Sequence, residues 1–144
     1  MIIPGLAVKG LGALEAALTR GEAQVELAAR ANVQLASLEL IKQAQANFSG
    51  SHRKHQRHIP NGNNYPNVVT GTLRRSIQSD GLRTIAPGVV STKVGPTTVY
   101  GRAIELGNPH SHSGAYPYFG PAVKRVRAKV ATTALAVWGK TVRF

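Results

Sequence analysis

Histidine is the residue type in this chain best suited to bind a metal or to transfer a proton. The five histidines form two clusters, His52, His55 and His58 in the first and His110 and His112 in the second. Protein zinc sites commonly combine histidine with cysteine or carboxylate ligands. The chain has no cysteine, and the first cluster alternates with arginine and lysine, whose charges oppose cation binding. We therefore expect two polar loops, without a bound metal or another cofactor.

Carboxylates, the usual partners in acid–base chemistry, are scarce beyond the first helical region. Residues 49–144 contain only two of them, Asp80 and Glu105. Glycosidases and two-metal nucleases need paired or clustered carboxylates, and phosphate-binding loops need a glycine-rich motif that this chain lacks. The sequence therefore predicts a protein that is not an enzyme. A metal-dependent hydrolase that uses His52, His55, His110 and Asp80 is the alternative.

Glu105 is notable because it is the only acidic residue after position 80 and has Ile104 and Leu106 as neighbours. An acid in an apolar setting commonly pairs with an arginine. We expect Glu105 to pair with an arginine of its own chain or of a neighbouring subunit, and simple exposure to solvent is the alternative.

Positive charge is concentrated in the second part of the chain. Residues 1–48 carry four acids and four bases, whereas residues 49–144 carry fourteen bases and two acids, which gives the net charge of +12. Such a surface attracts polyanions, and nucleic acid is the obvious candidate. The chain has few aromatic residues and no helix-turn-helix or zinc-finger pattern, so we expect non-specific contact with double-stranded DNA. The candidate residues that face DNA or a partner are Arg53, Lys54, Arg57, Arg75, Lys124, Arg125 and Arg127.

The elements that position these residues begin with helices. Leucines at helical spacing predict a helix over 10–18, and Gly21 is expected to interrupt it. Thr19 and Glu22 have the spacing of a capping box, which predicts a second, long amphipathic helix from 22 to 48. The face expected to be buried carries Val25, Ala28, Leu35, Leu38, Ile41 and Phe48.

Polar loops, short strands and a second helix follow. Turn-forming residues predict a long, mobile basic loop over about 49–69 and a second polar loop over 107–117. Residues 70–82 indicate a helical turn leading into a strand, and 89–94 the next strand after a Pro87-Gly88 turn. Pro121 is suited to the first position of a closing helix that continues to 140. Its expected buried face carries Val123, Val126, Val130, Leu135 and Val137.

Together these elements predict one α+β domain over 1–144, with long N-terminal and C-terminal helices packed on a small, mostly antiparallel sheet. Residues 1–8 suggest a short strand or a docked arm. No segment approaches the roughly 20 apolar residues of a membrane span, so we expect a soluble protein of the cytoplasm with no membrane contact.

Several short motifs occur in an order that resembles the tail-completion or neck proteins of long-tailed bacteriophages, which join head and tail. A Gly-Leu segment with a leucine-rich helix comes first, at Gly10-Leu11-Gly12-Ala13-Leu14. After the long helix come Thr70-Gly71-Thr72-Leu73-Arg74-Arg75-Ser76-Ile77 and Tyr100-Gly101-Arg102-Ala103-Ile104-Glu105-Leu106-Gly107. Pro117-Tyr118-Phe119-Gly120-Pro121-Ala122 then leads into the last helix. The chain departs from the pattern at Gly101, where alanine is usual, and in the length of its basic loop.

The resemblance implies a virion structural protein of the head–tail junction, as a neck, tail-completion or tail-terminator component. Such a protein is assembled in the host cytoplasm and forms a homo-oligomeric ring around the DNA channel, with six copies expected and twelve as the alternative. Its other partners would be the adjacent head-connector and tail-tube proteins. The residues expected to shape the motifs and the subunit contacts are Thr70, Gly71, Leu73, Arg74, Ser76, Tyr100, Glu105, Gly107 and Pro121. The alternative function is that of a stand-alone basic nucleic-acid-binding protein.

Overall fold

A computed structural model describes residues 11–51, 64–108 and 114–141, and it confirms the predicted α+β class. Two long helices pack on each other, and the short helices and strands lie between them in the sequence. The elements in chain order are α1 (Leu11–Ala46), α2 (Thr72–Arg75), β1 (Ile77–Ser79), β2 (Arg83–Ala86), β3 (Val89–Ser91), β4 (Val94–Pro96), α3 (Gly101–Leu106) and α4 (Phe119–Thr141). The proposed strand over 1–8, the five histidines, and Arg53, Lys54 and Arg57 lie outside the described residues.

Helix α1 is one uninterrupted helix, so the predicted break at Gly21 is wrong. A methyl group at Gly21 would meet no atom within 4 Å, and a helix tolerates such a glycine at a cost of about 1 kcal/mol. The predicted capping box is also wrong, because the Thr19 hydroxyl donates to the Glu15 carbonyl within the helix, at 3.0 Å. The helix ends at Ala46, two residues before the predicted end.

The strands form one long hairpin with two short ladders. Strands β1 and β4 pair antiparallel at its base, and β2 and β3 pair antiparallel near its tip. The tip is the predicted Pro87-Gly88 turn, where Gly88 has a φ of +71° that favours glycine. Between the ladders, the Asp80 carboxylate accepts a hydrogen bond of 2.8 Å from the Lys93 backbone N–H. That bond, with the adjacent charge of Arg83, holds the pKa of Asp80 below its usual value.

A small polar network fastens the hairpin to α1. The Arg30 guanidinium donates to the Glu26 carboxylate at 3.0 Å and to the Thr84 hydroxyl of β2 at 2.7 Å. The Thr84 hydroxyl in turn donates to Glu26 at 3.2 Å. These bonds fix the position of the hairpin along the long helix.

Helices α1 and α4 pack antiparallel along their lengths. The start of α4 lies beside the end of α1, since the Asn47 side chain donates to the Tyr118 carbonyl. Further along, Asn32 and Leu35 of α1 share a groove with Val130 and Thr133 of α4. The predicted start of α4 at Pro121 is two residues late, and the proline occupies the first turn, where its missing N–H costs nothing.

The buried core lies at the end of the molecule where these elements meet. Its buried hydrophobic cluster consists of Ala44, Phe48, Ile77, Tyr118 and Ala122. The rings of Phe48 and Tyr118 pack with their centres 4.9 Å apart. Because each large apolar side chain contributes about 1.5–3 kcal/mol on burial, this cluster is the main source of hydrophobic stabilisation in the described part of the chain.

The predicted buried faces of the long helices are correct only in part. Ala28 and Phe48 are buried, but Leu38 is exposed because nothing in the described chain covers that side of α1, and Leu35 is 46% exposed although it lines the groove shared with α4. On α4, Val126 is buried, whereas Leu135 is 75% exposed. Within the described residues, no helix is both long enough and apolar enough to span a membrane.

Candidate functional site

The Glu105 carboxylate binds the N-terminus of α4. Its Oε2 atom accepts hydrogen bonds of 2.8 Å from the backbone N–H groups of Tyr118 and Phe119, and its Oε1 atom accepts one of 2.8 Å from Gly120. The first N–H groups of a helix have no partner within the helix, and they attract negative charge. Glu105 therefore caps α4 from a different element, α3.

Within the described residues, the Glu105 carboxylate binds backbone N–H groups in place of the expected arginine of its own chain. Among the described residues, the ion pairs join Arg30 to Glu26 and Arg83 to Asp80, and none includes Glu105. Since the carboxylate fills the N-terminus of α4, that helix end is not open to a phosphate. Whether Glu105 also lies near a neighbouring subunit stays a prediction.

Gly101 allows α3 to approach the start of α4 closely. It is buried, and the Tyr118 hydroxyl donates to its carbonyl at 3.2 Å. A methyl group built on Gly101 would lie 2.6 Å from Cγ of Pro96 and 3.1 Å from the Tyr118 hydroxyl oxygen. Alanine, the residue expected from the resemblance, would not fit here without a shift of the backbone or of Tyr118.

Tyr118 is the central side chain of this junction. It is 1% exposed, its ring packs on Phe48, and its backbone N–H and carbonyl bind Glu105 and Asn47. Burial, assisted by the negative charges of Glu105 and of ionised Tyr100, raises the pKa of the Tyr118 hydroxyl to about 12. The hydroxyl stays protonated at neutral pH and acts as a structural donor.

The segment over 70–77 leads the chain into β1 through a turn of helix. Gly71 precedes α2 with a φ of +73°, a left-handed conformation that favours glycine. The Thr70 carbonyl accepts a bond of 3.1 Å from the Arg75 guanidinium, and the Thr70 hydroxyl lies 2.9 Å from that of Thr72. These contacts close the turn at its first end.

The second end of the same segment is held by Ser76. Its buried hydroxyl donates to the Leu73 carbonyl at 2.7 Å, and its own carbonyl accepts from the Thr97 N–H at 3.0 Å. Leu73 packs against the core, and the Arg74 carbonyl accepts from Gln45 of α1 at 3.3 Å. The segment thus connects the core, the end of α1 and the base of the hairpin.

The three remaining motif positions lie around α3 and α4. Tyr100 precedes α3 and is 44% exposed, and Gly107 ends α3 with a φ of +82°. Pro121 lies in the first turn of α4. The motifs over 70–77, 100–107 and 117–122 therefore all reach one core, although they are far apart in the sequence.

The candidate cationic residues divide into those with partners and those without. Arg75 is held by Thr70, and Arg125 donates to the side chains of Asn47 and Tyr65, the latter at 3.2 Å. Lys124 and Arg127 are exposed, and no hydrogen bond or ion pair of their side chains is found within the described residues. These two residues are the free cations of the candidate set in that part of the chain.

Asn47 is the functional residue that sequence reasoning misses. It is 2% exposed and links the end of α1 to both Tyr118 and Arg125. The available signal is the Asn47-Phe48-Ser49-Gly50 run, in which an asparagine and a glycine end a helical pattern. That signal marks the helix end but does not reveal the partners, which lie more than 70 residues away in the sequence.

The base of the loop over 49–69 is closed by backbone bonds. Ser49 donates to the Pro66 carbonyl at 3.3 Å, and Val68 donates to the Gly50 carbonyl at 2.9 Å. No group of three metal-binding side chains occurs in the described ranges, and the histidines proposed for such a site lie outside them.

Comparisons of the chain with protein-family models, with curated proteins and with solved structures find no match.

Proposed function

We propose that this chain is a virion structural protein of a phage head–tail junction, which assembles as a homo-oligomeric ring around the DNA channel. In this role it is a neck, tail-completion or tail-terminator component that contacts head-connector and tail-tube proteins. The role needs no chemical reaction, because its work is self-assembly and docking.

The observation that carries the proposal is the imbalance between buried and exposed apolar side chains. Within the described residues, seven hydrophobic side chains are buried, and three of these are alanines. Fifteen large hydrophobic side chains are exposed over the same ranges, among them Val99 at 98%. Single exposed apolar residues are ordinary, but nine of these side chains lie on the two long helices, and a set of this size is typical of a protein–protein contact surface.

The order of the sequence motifs supports the same role. Leu73, Ile77, Ile104 and Tyr118 come from three separate motifs and contact one core cluster. A set of motifs that makes one structural unit is expected if the resemblance to the tail-completion proteins reflects a shared fold.

The charge distribution supports proximity to DNA. The chain has a net charge of +12, and the first three turns of α4 add Lys124 and Arg127 to the exposed surface without any acid in that helix. Contacts of this kind neutralise phosphates without reading bases. They suit a channel through which any DNA sequence must pass.

The exposed cations equally favour the second candidate, a stand-alone nucleic-acid-binding protein. The two functions differ in whether assembly requires DNA. Nuclease-treated protein should form closed oligomers of uniform mass by light scattering if it is a ring component. A monomer that binds duplex DNA, with an affinity falling steeply as salt rises, would support the stand-alone binder and contradict the ring.

A further inference from the structure

The first turns of α1 form a projection against which no other helix of the described residues packs, although the hairpin tip at Pro87-Gly88 lies beside its last turns. Helix α1 has 36 residues and α4 has 23. The two helices run antiparallel from the Asn47–Tyr118 contact, so at 1.5 Å per residue α1 exceeds α4 by about 20 Å. We call residues 12–24 the α1 arm.

The α1 arm has an apolar strip with acids beside it. Leu14 and Leu18 are four residues apart, which places them on one side of the helix, and they are 56% and 59% exposed. Glu15 and Glu22, seven residues apart, lie next to this strip and are exposed. Neither carboxylate has an ion-pair partner within the described residues.

Helix α4 has an apolar surface with a positive charge beside it, on the side away from α1. Leu135 and Trp138 are three residues apart and both exposed, while Val130 and Thr133 face the groove shared with α1. Arg127 lies two turns before Leu135, on the same outer side and without a side-chain partner in the described chain. We call Arg127, Leu135 and Trp138 the outer α4 face.

We propose that the α1 arm of one subunit packs on the outer α4 face of the next copy of this chain, with the two helices antiparallel and crossing at an angle, so that the rest of that α4 clears the hairpin tip beside Val25 and the end of the first subunit's own α4. In that alignment Leu14 and Leu18 cover Trp138 and Leu135, and Glu22 faces Arg127. Glu22 lies about 6 Å along the helix from Leu18, and Arg127 about 12 Å from Leu135, a difference that the two long side chains span.

The two surfaces cannot meet within one chain. Continuing the observed α1–α4 pairing places the end of α4 opposite about residue 25 of α1, so the arm lies beyond it. A contact between two different patches on successive copies is heterologous, and such contacts generate rings or filaments. The inference rests on the proposed ring function and names the surfaces that build it.

Reversal of each charge tests the pairing. Glu22→Lys and Arg127→Glu each place like charges opposite each other, and each should raise the dissociation constant of self-association about tenfold, measured by sedimentation. A 1:1 mixture of the two variants should recover wild-type association, because each substituted arm then meets a substituted α4. Lys42→Glu, which makes the same charge change at an exposed position of α1 twenty residues after Glu22, is the matched control and should leave association unchanged.

Disulfide trapping provides a second readout, since the chain has no cysteine of its own. Chains with Leu18→Cys should crosslink under mild oxidation to chains with Leu135→Cys, and neither variant should crosslink efficiently to itself. Crosslinking of the Leu18→Cys variant to itself would indicate a two-fold arm–arm contact and overturn the proposal. So would an arm thiol shielded from alkylation in the dilute monomer, because the chain's own residues would then cover it.

The outcomes separate this contact from the proposed function. Rings that form equally well from both charge-reversed variants would overturn the arm–α4 contact and leave the ring function standing. A wild-type chain that remains monomeric would overturn both.

Discussion

Replacing Glu105 by glutamine should destabilise the fold more than any other single change of surface charge in the described chain. The carboxylate accepts three backbone hydrogen bonds of 2.8 Å, two on Oε2 and one on Oε1. Glutamine retains one oxygen, so two of these donors can be satisfied and the third faces an amide NH₂. The first turn of α4 would lose both an acceptor and a favourable charge.

The magnitude follows from these two losses. A partly buried N–H without an acceptor costs about 1–2 kcal/mol, and the loss of a carboxylate at a helix N-terminus costs about 1 kcal/mol. We therefore expect Glu105→Gln to lower the free energy of unfolding by about 2–3 kcal/mol. With a urea m-value of about 2 kcal/mol/M, the midpoint of unfolding should fall by about 1–1.5 M.

Urea unfolding followed by circular dichroism measures this effect, and several protein concentrations separate folding from association. The matched control is Glu39→Gln, which removes the same charge from a residue whose carboxylate accepts one bond within α1, from Gln43 at 2.9 Å. That change should cost less than about 0.5 kcal/mol. If Glu105→Gln were as mild as Glu39→Gln, the capping role of Glu105 would be wrong.

Three further predictions concern the same junction and the α1 arm. Gly101→Ala places a methyl group 2.6 Å from Pro96 and should lower unfolding stability by about 1–3 kcal/mol in urea, whereas Gly95→Ala, with no atom near the new methyl, serves as the control. In Gly21→Ala the new methyl group also meets no atom, and alanine favours the helix by about 1 kcal/mol, so amide hydrogen exchange in the α1 arm should slow by about fivefold. Unchanged exchange would argue against a helical arm. The pKa of the Tyr118 hydroxyl is raised from 10.0 to about 12, so on titration to high pH the unfolded chain loses this proton before the folded chain does. The contribution of Tyr118 to the free energy of unfolding should therefore be constant below pH 10 and should fall as the pH approaches 12. Tyr118→Phe should be less stable at neutral pH but should lose this part of the alkaline dependence.

The elements with strong local signals are those that the sequence predicts well. Three local patterns predict the correct type of element. They are the spacing of leucine and alanine in α1, the Pro87-Gly88 turn and the periodic residues of α4. Their boundaries are off by two residues at the end of α1 and at the start of α4. Helix ends depend on capping groups, and for α4 the cap comes from Glu105, on another element.

The errors share a physical cause, which is dependence on distant partners. Gly21 breaks a helix only where its neighbours do not favour one, and the alanine, leucine and glutamate around it do. Leu35, Leu38 and Leu135 follow the helical period of a buried face, yet the described residues leave them largely exposed. Periodicity indicates that a face will be covered, but not whether the cover is the same chain or another copy.

The contacts within the candidate site could not be predicted for the same reason, since they join residues that are distant in the sequence. The sequence indicates Glu105, Gly101 and Tyr118 as members of motifs, but their mutual contacts join α3 to the start of α4 across the second polar loop. Arg125 appears as one of several exposed bases in the sequence, whereas the structure has it bound to Asn47. Charge counts alone do not separate such structural cations from free ones such as Lys124.

Electron microscopy of the purified, nuclease-treated protein tests the central claim most directly. The account predicts closed rings of one copy number, with a central opening, in the absence of DNA and of any other virion protein. A field of small single particles at the highest attainable protein concentration would contradict it.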